Sequence, residues 1–160
     1  MRRSGRSNIA AWRAYRIADR RHSIFDGEGA AIFGGRWSSP GRRVIYAAET
    51  YAGAMLEVLV NANIGRMPKH HAWIEILIGR DVSVEEVDAR KIRRWDASDQ
   101  RASRIFGDRW YDEQRSTVLI VPSTPARVER NVVISQAHPG FAKLRASKPK
   151  PVVWDERLFR

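Results

Sequence analysis

The chain has 160 residues, with 29 lysines and arginines against 18 aspartates and glutamates, no cysteine and a formal net charge of +11. That length suits one domain of ~100–200 residues, and 43% hydrophobic with 29% charged residues excludes both a membrane protein and a low-hydrophobicity disordered chain. Without cysteine there is no disulfide framework, thiol nucleophile, Cys-zinc site or iron–sulfur cluster.

The charge is unevenly placed. Residues 1–50 carry 10 basic and 4 acidic side chains, 51–100 carry 7 and 8, and 101–160 carry 12 and 6. A basic surface of this kind fits a polyanion or an acidic protein partner as well as plain solvation. The stretch Ile9 to Trp12 is cut by Arg13 before a signal-peptide core can form, and no window approaches the ~20 apolar residues of a membrane span. A cytoplasmic location is the expectation.

Residues 1–11, with Arg2, Arg3 and Arg6 among small polar residues, read as a flexible basic tail, and 12–160 as a single domain. Trp12 to Ile17 reads as a strand. Asp26 to Gly41 contains Gly27, Gly29, Gly34, Gly35, Pro40 and Gly41 and predicts a long structured loop. Arg43 to Ala48 is a strand built on Val44-Ile45-Tyr46. Thr50 then caps a helix whose apolar positions Tyr51, Ala54, Met55, Val58, Leu59 and Ala62 follow helical spacing.

Further along, Ala72 to Ile78 alternates Ala72, Ile74, Ile76 and Ile78 against Trp73, Glu75 and Leu77, a strand pattern. Ser98 is expected to cap a second helix with Ala102, Ile105, Phe106 and Trp110 on one face. Thr117 to Val121 is an apolar strand closed by Pro122, and Asn131 to Ser135 and Val152 to Trp154 are further strand candidates. Helices and strands alternate without a regular βαβ rhythm, so the expected class is α+β.

No motif for a metal or a phosphate loop is present. His22, His70, His71 and His138 lack chelating spacing, and adjacent His70 and His71 point to opposite sides of an extended segment. Neither a Gly-x-Gly-x-x-Gly nor a phosphate-loop Lys-Ser/Thr follows the glycines. Glu57 stands inside Met55-Leu56-Glu57-Val58-Leu59-Val60 and borders the buried stripe of its helix. Such a carboxylate either reaches solvent or is satisfied by donors in a cleft. Arg36, among the glycines of Gly34-Gly35-Arg36-Trp37, can grip a pyrophosphate with its planar fork. Tyr46 can stack on a flat heterocycle or pack in the core. Ser116, at the start of a strand, can meet a ligand or serve structure, and no Gly-x-Ser-x-Gly marks it as a nucleophile.

Taken in order, Tyr15-Arg16-Ile17-Ala18, the Gly-Gly-Arg-Trp core of Gly29 to Gly41, Val44 to Glu49, Leu56-Glu57-Val58-Leu59-Val60, Arg115-Ser116 with Val118-Leu119, and Ala137-His138-Pro139 resemble the RES-domain family over nearly the whole chain. That resemblance implies a compact α+β domain similar to ADP-ribosyltransferases, with small mixed sheets around an NAD cleft. It implies a toxin of a type II toxin–antitoxin pair that cleaves the nicotinamide glycosidic bond of NAD and is neutralised by a cognate Xre-like antitoxin. It places Arg36, Glu57 and Ser116 on the family triad and Arg16 and Tyr46 on additional cleft positions, with NAD as substrate and no metal. Glu57 would then stabilise the developing cation, Arg16 and Arg36 would neutralise the pyrophosphate, Tyr46 would stack on nicotinamide, and Ser116 would orient a ribose or Glu57. The competing class is a basic nucleic-acid-binding protein or nuclease toxin relying on Arg2, Arg3, Arg6 and Lys143 to Lys150.

Overall fold

A computed structural model describes residues 10–61 and 65–160. Residues 1–9 of the expected tail, with Arg2, Arg3 and Arg6, and the helix position Ala62 lie outside the described residues. Eight strands form one sheet: β1 (Trp12–Asp19), β2 (Val44–Ala48), β3 (His71–Ile78), β4 (Val84–Glu86), β5 (Val118–Pro122), β6 (Arg130–Ser135), β7 (Arg145–Ala146) and β8 (Lys150–Pro151). Their order is β4-β5-β6-β2-β1-β3-β7, with β8 also on β3, and every pairing is antiparallel except β4 with β5. Among the described residues three α-helices accompany it, α1 (Glu28–Phe33), α2 (Tyr51–Asn61) and α3 (Arg101–Asp112).

The alternation read in the sequence sorts the core. Ile45 and Ala47 of β2, Ile74, Ile76 and Ile78 of β3, Val118 and Ile120 of β5, and Val132 and Ile134 of β6 join one buried cluster on one face. The other face carries two separate clusters. Val44, Leu119, Val121 and Val133 pack with Trp37 and Trp110, while Ile17, Ala48 and Ala54 pack with Tyr15, Tyr51 and Trp73. α3 supplies Trp110 to the first and α2 supplies Ala54 to the second. The gap between the two clusters becomes the cleft.

The centre of the sheet helps to open that gap. β1 and β3 pair along their whole length, from Trp12 with Ile78 to Asp19 with His71, but β1 and β2 meet at a single pair, Tyr15 with Ala48. The two small sheets of the expectation are thus two halves joined at one point.

Three local expectations change. The glycine-rich segment is not loop throughout, since Ala30-Ala31-Ile32-Phe33 sustain a helical turn and a half that Gly34 ends at φ +69°. The cap of α3 is not Ser98: Asp99 Oδ1 accepts the Arg101 amide at 3.0 Å, and Gln100 bridges to the helix with φ +58°. Val152 to Trp154 is not a strand. Chain pairing at that edge comes instead from β7 and β8, two residues each, with Pro151 in β8 suited to a sheet edge. The cap of α2 is as expected, with Thr50 Oγ1 accepting the Gly53 amide at 2.9 Å.

Candidate active site

A cavity of about 1130 Å³ lies between the halves, bordered by β1, β2, α2, the Gly34–Trp37 turn and the segment after β5. Arg16, Arg36, Tyr46 and Glu57 all border it. Ser116 does not.

Arg16 leaves β1 where β1 and β2 separate. Its Nε donates to the Ile24 carbonyl and its Nη1 to the Tyr46 carbonyl, each at 2.7 Å, so it bridges the opening. Burial draws its pKa down to about 10, partly offset by Asp26, and it stays charged at neutral pH.

Arg36 sits in a tight turn closed by Gly35 and Ser38, whose main chains exchange hydrogen bonds at 2.8 and 3.4 Å. Trp37 turns inward, stacked 6.3 Å from Trp95, while Arg36 borders the cavity with Nη1 on the Ala97 carbonyl at 2.9 Å. Tyr46 supports this turn from below. Its hydroxyl lies 2.8 Å from Ser38 Oγ and accepts the Trp37 amide at 3.1 Å, and burial raises its pKa. A Cβ on Gly35 would fall 2.6 Å from the Tyr46 ring, so only glycine allows this approach. The phenol that can stack on a ligand is therefore also a structural prop.

Glu57 has found donors rather than open water. Asn131 Nδ2 donates to Oε1 at 2.8 Å, and Ser123 Oγ makes a longer contact of 3.5 Å with the same oxygen. Among the described residues no donor occupies Oε2, which leaves that oxygen available to the cavity.

The structure does not bring Ser116 to the other four residues. Ser116 is 3% exposed, accepts from Trp110 Nε1 at 2.7 Å and donates to the Val118 carbonyl at 2.8 Å. Its one proton and one of its lone pairs lock α3 to the start of β5. The hydroxyl beside Glu57 belongs to Ser123, which is equally buried and does not itself border the cavity but reaches the carboxylate that does; it continues the Leu119, Val121 side of β5 past Pro122. Period-two counting from those two residues is the signal that selects it. Asn131 also borders the cavity and meets Glu57, and the sequence pattern marks only its strand.

Comparison with known proteins shows the family. The family model described as RES domain matches residues 10–155. The chain belongs to the RES-domain family. Its relatives include the Prs ADP-ribosylating toxin of Sphingobium sp. (strain YBL2), 36% identical over 138 residues, covering 84% of this chain and 86% of that protein. Toxin Res of Pseudomonas putida (strain KT2440) is 32% identical over 152 residues, 92% of this chain and 98% of the relative. Toxin Res of Yersinia enterocolitica is 30% identical over 149 residues, 90% and 97% respectively. These relatives place the chain among the RES-domain toxins. In fold it is similar to a chain of the M. tuberculosis MbcT–MbcA toxin–antitoxin complex, with a TM-score of 0.69, 20% identity, and coverage of 88% of this chain and 83% of that one.

Part of the exposed charge is paired within this RES domain. Arg42 meets Asp112 at 2.6 Å, Arg115 meets Glu85 at 2.8 Å, and Arg130 reaches both Glu49 and Glu86 at 2.7 Å. Lys143 lies 3.8 Å from Asp81 and Lys150 sits over the Trp73 ring. Among the described residues, no helix is long and apolar enough to cross a membrane, and no group of three or more His, Asp or Glu side chains gathers for a metal.

Proposed function

We propose that this RES-domain protein is an enzyme that consumes NAD by breaking its nicotinamide–ribose bond. The observation that carries the reading is Glu57: a carboxylate anchored through one oxygen, with the other open to a cavity that Arg16 and Arg36 also border. Departure of nicotinamide takes the bonding electron pair with the ring nitrogen and leaves oxocarbenium character on the ribose carbon. A preorganised negative charge lowers that barrier because it needs no reorganisation during the reaction. Glu57 Oε2 stabilises the cation and holds a ribose hydroxyl. Arg16 and Arg36 bind the diphosphate, whose non-bridging oxygens suit planar guanidinium groups. Tyr46 presents its ring to the nicotinamide. Glycosidases commonly use two carboxylates, but nicotinamide leaves as a neutral base and needs no proton from an acid.

The ADP-ribosyl cation is then captured by an oxygen nucleophile, whose proton passes to Glu57 or to solvent. The acceptor is water, phosphate or a protein side chain, and the name of the Sphingobium relative favours transfer to a protein. An antitoxin of the Xre-like kind holds the enzyme inactive in the cytoplasm; the antitoxin partner itself is supported by the toxin–antitoxin complex in which the similar chain is found. Purified protein incubated with NAD should release nicotinamide, and Glu57→Gln and Arg36→Ala should not match it. Equal NAD loss in all three proteins would dismiss this site. Chromatography of the co-product, as ADP-ribose, its phosphate ester or labelled protein, identifies the acceptor.

A further inference from the structure

A third arginine borders the cavity. Arg104 projects from α3, on the side opposite Glu57's helix, and donates from Nε to the Gly35 carbonyl at 2.8 Å. That single bond fixes the guanidinium against the turn carrying Arg36 and leaves both Nη groups without a protein acceptor among the described residues.

The acids that would ordinarily neutralise these three cations are committed elsewhere. Asp26, the acid acting on Arg16, pairs with Arg43 at 3.2 Å. Asp96, close to Arg36, pairs with Arg127 at 2.8 Å. Asp108 lies one turn along α3 from Arg104, where a helical ion pair would form. It instead accepts the Ser39 amide at 2.8 Å and the Ser39 hydroxyl at 2.6 Å, with Arg42 at 3.5 Å. Each of the three cavity arginines is therefore held by main-chain carbonyls, which orient a guanidinium without cancelling its charge. Against the single charge of Glu57, this leaves an excess of two positive charges at the cavity, equal to the two negative charges of a dinucleotide diphosphate.

We propose that Arg104 is a further substrate-binding residue: its two Nη groups take a diphosphate oxygen from the α3 side, and its Nε couples that contact to the Gly35 turn. This rests on the NAD reading given above. Arg16 and Arg36 reach the diphosphate from β1 and from the turn, and Arg104 closes the third side. Ligand binding then tightens the turn that positions Arg36.

The test compares wild type, Arg104→Gln and Arg104→Lys in NAD turnover and in calorimetric titration with ADP-ribose and with inorganic pyrophosphate, after thermal melts show that the variants fold. Arg104→Gln should raise KM for NAD and weaken ADP-ribose by roughly 10- to 100-fold, with the loss on KM rather than kcat. Arg104→Lys, which keeps the charge and loses the fork, should fall between. Pyrophosphate affinity should drop in the same order. Unchanged ADP-ribose and pyrophosphate affinities in Arg104→Gln, or a loss confined to kcat, would overturn the assignment. A wild type that binds pyrophosphate but neither cleaves NAD nor binds ADP-ribose removes the NAD reading while leaving an anion site. A wild type that binds none of the three removes both.

Discussion

Asn131 at the head of β6 and Glu57 in the middle of α2 stand 74 positions apart in the chain and 2.8 Å apart in the fold, amide nitrogen to carboxylate oxygen. The contact crosses the sheet face where the two halves separate, and it turns an apolar helix's one acid toward the cavity. Fixing one oxygen costs rotamer freedom during folding instead of during catalysis.

Glu57→Gln keeps the shape and the Asn131 contact but removes the charge, so nicotinamide release should fall by roughly a hundredfold or more. The melting temperature should change little, since Glu57 is half-buried and its amide replacement can still accept from Asn131. Asn131→Leu should reduce turnover less steeply, because the carboxylate remains but loses its anchor. Initial rates at saturating NAD, with melts as control, check both.

The two serines separate by readout. Ser116→Ala strands the buried Trp110 indole N–H and should cost about 1–3 kcal/mol of stability, while the folded fraction turns over NAD at close to the wild-type rate. Ser123→Ala should do the reverse, lowering turnover several-fold with a smaller stability loss, about 1 kcal/mol, from the Ala126 amide that it also serves. Denaturant titration beside the NAD assay distinguishes them. Loss of turnover in Ser116→Ala at full folding would return that residue to the site.

This exchange of serines shows where sequence reasoning reached. Strands with strict alternation, such as β3, and the capped periodic helix α2 were legible because burial imposes a two- or 3.6-residue period. Glu57 and Arg36 stood out because a charge in an apolar helix and an arginine among glycines each violate a local rule. Ser123 and Asn131 violate none; they matter through a pairing that exists only once β5, β6 and α2 are assembled. The α1 helix was masked by its flanking glycines, and β4 by its length of three residues and its acids, Glu85 and Glu86.

Gly107→Ala sets two effects against each other. Alanine favours a helix interior over glycine by about 1 kcal/mol, yet a Cβ at 107 would sit 1.7 Å from the Trp37 carbonyl oxygen. Backbone on both sides leaves no flexible atom to yield, so the clash wins and α3 must shift from the turn. Overpacking typically costs about 1–3 kcal/mol, which predicts a melting temperature lower by roughly 2–12 °C. Because Trp37 is next to Arg36, KM for NAD should rise as well. A stabilised variant would show that α3 can move without cost.

His71 predicts a pH dependence with a definite sign. It borders the cavity with Nδ1 buried and unpartnered among the described residues, and burial holds its pKa below the ordinary 6.5. Below about 6.5 the unfolded chain therefore binds a proton that the native state refuses. Stability should fall as pH drops from about 6.5 toward the lowered native pKa, then level off. Aspartates such as Asp112, whose carboxyl is held low chiefly by its hydrogen bond to Arg42, act in a more acidic window, as pH falls below 3.8. Thermal melts between about pH 8 and 5 should show a steeper decline for wild type than for His71→Gln, which cannot titrate. Parallel curves would mean that the buried imidazole finds a partner on protonation and stores no such energy.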